Sequence, residues 1–206
     1  MAESGQNLLQ DGLSDPLALE LSQNGAIAVG LDILFPEHDR TSPANIAAVV
    51  ETYDAVTAAR LREMKSNDSI FADAMSKSAV VLGQSGFHKP LDQWHAGALK
   101  QTAIATIGPD PSPFLDNYPG MVRNIPELEA KARGRGMVSI RPELDGVIRK
   151  MPLVMKAQGK ILPSLGLEIL RVATGQSTIL FRSDSAGVSS IALAGVTIPT
   201  DRNAKA

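Results

Sequence analysis

One stretch limits the folds open to this chain more than any other. It is Gly25-Ala-Ile-Ala-Val-Gly-Leu-Asp-Ile-Leu-Phe35, followed at once by Pro36-Glu-His-Asp-Arg-Thr-Ser-Pro43. The first part is an almost unbroken apolar run of strand length, the pattern of a strand buried on both faces of a sheet. It carries one carboxylate, Asp32. The second part is polar and bracketed by prolines, so it reads as a loop, with Ser42-Pro43 as an N-cap and first helical residue. This order puts Asp32, Glu37, His38, Asp39 and Arg40 near the carboxyl end of a strand, where open α/β sheets bind ligands.

The rest of the chain fits that start. A helix over residues 17–23 ends at Asn24-Gly25; the apolar spacing of Ile46, Val49, Val50, Tyr53 and Val56 predicts one helix over 44–64. A second helical piece runs through Phe71, Met75 and Ser76, and residues 79–82 read as a second buried strand. The order α, β, α, β with short joints implies parallel pairing through a right-handed crossover. After a strand over 102–107, the proline-rich loop 108–119 reads as a lid or wall rather than core. A short helix over 127–132 and one from Pro163-Ser164 to Thr174 follow, then a meander of strands over 178–181, 188–193 and 196–198. The expected fold is α/β: a central mixed, largely parallel sheet flanked by helices, with a hairpin and meander in the C-terminal half.

Residues 136–154 read as a hairpin turning at Asp145-Gly146. With a period of two, Val147, Arg149, Met151, Leu153 and Met155 share one face. Arg149 is the charge on that face, and a buried guanidinium needs a carboxylate, with Asp32 the obvious partner.

At 206 residues and 44% hydrophobic composition the chain can bury one sizeable core, so a single domain over 1–206 is expected. A net charge of −2 gives no reason to expect nucleic acid or anionic lipid as partner. The absence of cysteine excludes disulfide and thiol chemistry and suits cytosol and bacterial periplasm equally. No apolar run approaches the ~20 residues needed to cross a bilayer, and the polar ends suggest a soluble piece of something longer.

Several fragments in this order resemble one family: Gly30-Leu-Asp-Ile-Leu-Phe35, Val80-Val-Leu82, Gly136-Met-Val, Asp145-Gly-Val-Ile-Arg149-Lys-Met-Pro-Leu153, Pro163-Ser-Leu-Gly-Leu-Glu168, Arg171 and Ile198-Pro-Thr-Asp201. Together they are similar to the second subtype of CHASE domain, the cyclase- and histidine-kinase-associated sensory extracellular domain, over about residues 17–201. Ser139 and Glu143 stand where that family often has Asn and Asp. The resemblance implies a periplasmic or extracellular sensor of a bacterial inner-membrane receptor, with an unidentified small-molecule signal. The cytoplasmic output would be an adenylate or guanylate cyclase, a kinase or a related effector. It also implies transmembrane helices outside this sequence and leaves a homodimer open.

Each singled-out residue has a structural alternative. Asp32 and Arg149 are either ligand contacts or an internal lock, and ion-pair networks often imitate sites. Glu37, His38 and Asp39 are acceptable metal ligands, but consecutive side chains seldom converge on one ion, so a solvated loop is preferred and no metal site is implied. Arg40 and Asp145 complete the candidates, Asp145 mainly as turn chemistry. Trp94 with His88 and His95 forms either a ligand wall or edge packing. No catalytic motif or cofactor fingerprint is present. The alternatives to a sensor are a hydrolase or phosphotransfer enzyme using Asp32 with Glu37 or His38, and a dimerisation module without ligand.

Overall fold

In a computed structural model of the protein, residues 14–91, 101–140 and 145–206 are described. Trp94, His95, Pro142 and Glu143 lie outside them. Helix α1 (Ser14–Gln23) stops where Asn24-Gly25 implied. Gly25 takes φ +95°, its N–H bonds Ser22 O (3.1 Å) and the Ala26 N–H bonds Leu21 O (2.9 Å), the paired bonds of a Schellman closure.

The first sheet is organised by β2 (Val80–Phe87), not by the long apolar run. Strand β2 pairs in parallel with β1 (Val29–Leu31) on one side and with β6 (Gly134–Met137) on the other. Its outer half pairs antiparallel with β5 (Gly120–Val122). Only three residues of the run are strand, and β1 pairs with β2 alone among the described residues. Ile27 and Ile33 are 73% and 56% exposed, and Asp32 is exposed. The expectation of a central strand buried on both faces is therefore corrected. Apolar content gave the right element but not its place, because residues 80–84, buried throughout, hold the centre.

Strand alternation divides the two faces of this sheet. Leu31, Val80 and Leu82 pack with Phe71, Met75, Ile125 and Leu128 from the helices on one side. These are α4 (Asn67–Ser76), started by the Ser66 hydroxyl on Ser69 N–H, and α5 (Pro126–Lys131). On the other side α6 (Leu165–Ala173) sits against glycines. A Cβ added at Gly30, Gly134 or Gly136 would stand 2.2 Å from Ile169 Cδ1, 2.5 Å from Glu168 Oε1 and 2.4 Å from Leu165 Cα. Those absent side chains let the helix lie close on the sheet.

Residues 44–64 form two helices, α2 (Pro43–Val50) and α3 (Ala55–Arg62), rather than one. Asp54 causes the break: it leaves the helical region and accepts from the N–H groups of Val56 and Thr57, both at 3.0 Å. Ala47 and Ala58 are then the fully buried residues, while the expected stripe of Ile46, Val49, Tyr53 and Val56 is exposed, Tyr53 by 89%.

The C-terminal half builds a sheet in the order β11-β10-β9-β3 from β3 (Ala103–Ile107), β9 (Thr178–Asp184), β10 (Gly187–Leu193) and β11 (Val196–Pro199). The meander is as expected; β3 joins it in parallel at β9. A smaller sheet holds β4 (Asn117–Tyr118), β7 (Val154–Ala157) and β8 (Lys160–Pro163). Two expectations fail here. The proline-rich segment is not a lid, since Leu115 and Tyr118 are buried in the core and β4 pairs with β7. The hairpin is also displaced. Gly146 does turn, at φ +80°, but residues 147–151 form no strand; the antiparallel pair is β7–β8, joined by Gln158 and Gly159 at φ +49° and +78°. Two successive left-handed residues are what a tight two-residue hairpin requires.

Candidate functional site

A crevice of about 390 Å³ opens beyond the carboxyl ends of β1 and β6 and the start of α6. Met137, Met155 and Leu167, all buried, make its floor. Ser139 fixes the end of β6 by accepting from Gly86 N–H at 2.6 Å, and Ser164 caps α6 by accepting from Leu167 N–H at 3.3 Å. Each hydroxyl oxygen thus has a backbone donor. One wall is Met151, Pro152 and Leu153. Its backbone is shared: Met151 N–H bonds Ala206 O (2.8 Å), Ala206 N–H returns to Met151 O (3.1 Å), and Leu153 N–H bonds Ala204 O (2.9 Å). The same segment holds the helix, because Ser164 N–H donates to Leu153 O at 2.8 Å.

Asp32 is the one ionisable side chain among the described lining residues. It makes no hydrogen bond or ion pair with any described residue, Arg149 included. The expected internal lock is corrected. Arg149 instead donates to both oxygens of Asp145, at 2.7 and 3.1 Å, and both side chains are about half exposed. The reason is local. Without a strand at 147–151 the period-two argument loses its footing, and an acid four residues away is within reach of a long guanidinium. That bond comes first in holding the Asp145 carboxyl below the usual range, with help from Val147 N–H.

The charged loop after Asp32 is a latch rather than a ligand cluster. Glu37 pairs with Arg40 at 2.6 Å, and His38 Nδ1 lies 3.0 Å from Asp68 Oδ2. Asp39 accepts from Thr41, Ser42 and Asn67, tying the loop to the start of α4. Burial pushes the Asp39 carboxyl up, but the hydrogen bonds, led by Thr41, prevail and hold it below the usual carboxylate range. The side chains of Glu37, His38 and Asp39 thus have separate partners and do not converge, while the Asp39 N–H donates to the same Asp68 oxygen that His38 faces. Among the described residues no group of acids and histidines is placed to hold a metal ion. His88 stacks against Tyr118, ring centroids 5.0 Å apart.

Sequence reasoning did not single out the buried ionic network behind the crevice. Glu168, fully buried, accepts from Arg171 (2.6 and 2.8 Å) and Thr102 (2.8 Å). Glu129 accepts from Arg123 and from Gln84 (3.0 Å). Within electrostatic reach of both acids stands Arg135, 7% exposed, whose Nε and Nη2 find no hydrogen-bond partner among the described residues. Burial pushes its guanidinium down from its ordinary value, and the charges of Glu129 and Glu168 oppose that. The available signal was Gly134-Arg135-Gly136, a charge flanked by small residues in a strand.

Fold and crevice define a class: an α/β domain with a ligand-sized apolar hollow at the ends of parallel strands. The CHASE2 domain family matches residues 2–205, and the chain belongs to that family of sensory extracellular receptor domains. No curated protein and no solved structure gives a significant match. Among the described residues no helix is long and apolar enough to cross a membrane.

Proposed function

We propose that this chain is the extracytoplasmic signal-input domain of a bacterial transmembrane receptor, itself non-catalytic, regulating a nucleotide cyclase or a histidine kinase. The signal is a small molecule received in the crevice beside Asp32. One observation carries this reading: Met151 to Leu153 form a crevice wall and are also backbone partners of residues 204–206. In this reading the segment 204–206 is the path by which the domain passes its state on to the membrane helices of the receptor. A ligand that favours one position of the wall over another biases the exit segment by its difference in affinity for the two states, and by nothing else.

Gly166 offers a clean test. It lines the crevice, and a Cβ added there meets no atom within 4 Å. Gly166→Trp in the full-length receptor is expected to fold with an unchanged or raised melting midpoint, since glycine costs a helix ~1 kcal/mol relative to better formers. Its cyclase or kinase output is expected to lose its response to the signal. A folded variant whose output matches wild type would overturn the crevice as input site.

A further inference from the structure

We infer that the crevice selects a cationic amphiphile: a small molecule with a hydrocarbon body and a primary ammonium or similar cation at one end. The inference rests on the crevice being the input site and adds the chemistry of what it receives.

The lining dictates both halves of that molecule. Met137, Met151 and Met155 come from two different segments of the chain, and with Leu153, Leu167 and Ile169 they surround the hollow with hydrocarbon and thioether. Methionine is unbranched and adaptable, so such a surface takes flexible apolar chains. A volume of about 390 Å³ is at the small end of ligand pockets, which run roughly 300–1,000 Å³. Among the described lining side chains a single one carries a charge, and that charge is negative. The two serine oxygens already accept from Gly86 and Leu167, whereas the Asp32 carboxylate has no donor among the described residues. A carboxylate accepts hydrogen bonds and donates none when ionised, so an ammonium completes it and another carboxylate is repelled. No described lining residue is a lysine, arginine or histidine that would neutralise Asp32 from within or hold an acid.

The test uses the isolated domain labelled at its methionine methyl groups, titrated with hexylammonium, hexanoate and 1-hexanol and followed by NMR. Hexylammonium is expected to shift the methyls of Met137, Met151 and Met155, with each methylene from butyl to hexyl tightening binding about two- to fourfold. Asp32→Asn, an exposed and conservative change, is expected to leave the melting curve in place. It should weaken hexylammonium by about tenfold, between exposed and charge-assisted pairs, and leave hexanol unaffected. Hexanoate binding as well as hexylammonium, or an Asp32→Asn variant that binds hexylammonium undiminished, would overturn the ligand class while leaving the crevice a site. Methionine methyls unmoved by all three probes would overturn the inference outright, and Gly166→Trp then decides separately whether the crevice is an input site.

Discussion

Two sets of acid–base pairs in this molecule differ in how far each is removed from water. Asp145 and Arg149 are four residues apart, half exposed, and reach each other without help from the fold. Glu168 and Arg171 are three residues apart on α6 and Glu129 and Arg123 six apart, but the fold holds both pairs, with Arg135 of β6, largely out of water. A surface pair competes with solvent and salt for little net gain. A buried one has lost its hydration, so each member depends on the others being present. Both kinds join residues near in sequence; what the sequence conceals is which of them the fold takes out of water.

Removing the fully buried acid is the harshest way to break the contrast. Glu168→Ala strands Arg171 in the interior, and urea unfolding is expected to show a loss of about 3–5 kcal/mol. Removing the poorly bonded base sharpens the contrast from the other direction. Two nitrogens of Arg135 have no hydrogen-bond partner among the described residues, and burial works against its charge. Arg135→Met is therefore expected to be neutral or stabilising by up to about 4 kcal/mol, as when buried charges give way to hydrocarbon. A loss as large as that of Glu168→Ala would show Arg135 to be the keystone of the network. The surface pair should barely register: Arg149→Ala is expected to leave the denaturant midpoint within experimental error. A clear shift would mean that this exposed arginine holds the segment through more than its pair with Asp145.

What could be read from the residues follows the range of the forces involved. Helix α6 with its Ser164 cap, the Schellman end of α1 and the β9–β11 meander are set by neighbours in sequence, and all were legible. So was the α/β class, with a parallel sheet flanked by helices and antiparallel strands towards the C-terminus. The break at Asp54 was visible in principle, since an aspartate ahead of Val56 and Thr57 is a capping signal, but the apolar spacing across it was more conspicuous. Gln158-Gly159 lacks the Asn-Gly or Asp-Gly signature, so Asp145-Gly146 attracted the hairpin. For the site, Asp32 at a strand end could be found from sequence alone. The walls at 151–153 and 164–169 could not, because they meet Asp32 only once α6 is seated on Gly30, Gly134 and Gly136.

The wall bonded to residues 204–206 bears on how the domain is to be handled. Trimming the protein after residue 203, a cut that touches no side chain lining the hollow, would strip the amides of Met151 and Leu153 and the carbonyl of Met151 of their acceptors and donor. A recombinant fragment ending there would keep every contact residue and still present a frayed, misregistered pocket. Boundaries chosen for expression are in this sense a variable of any ligand screen.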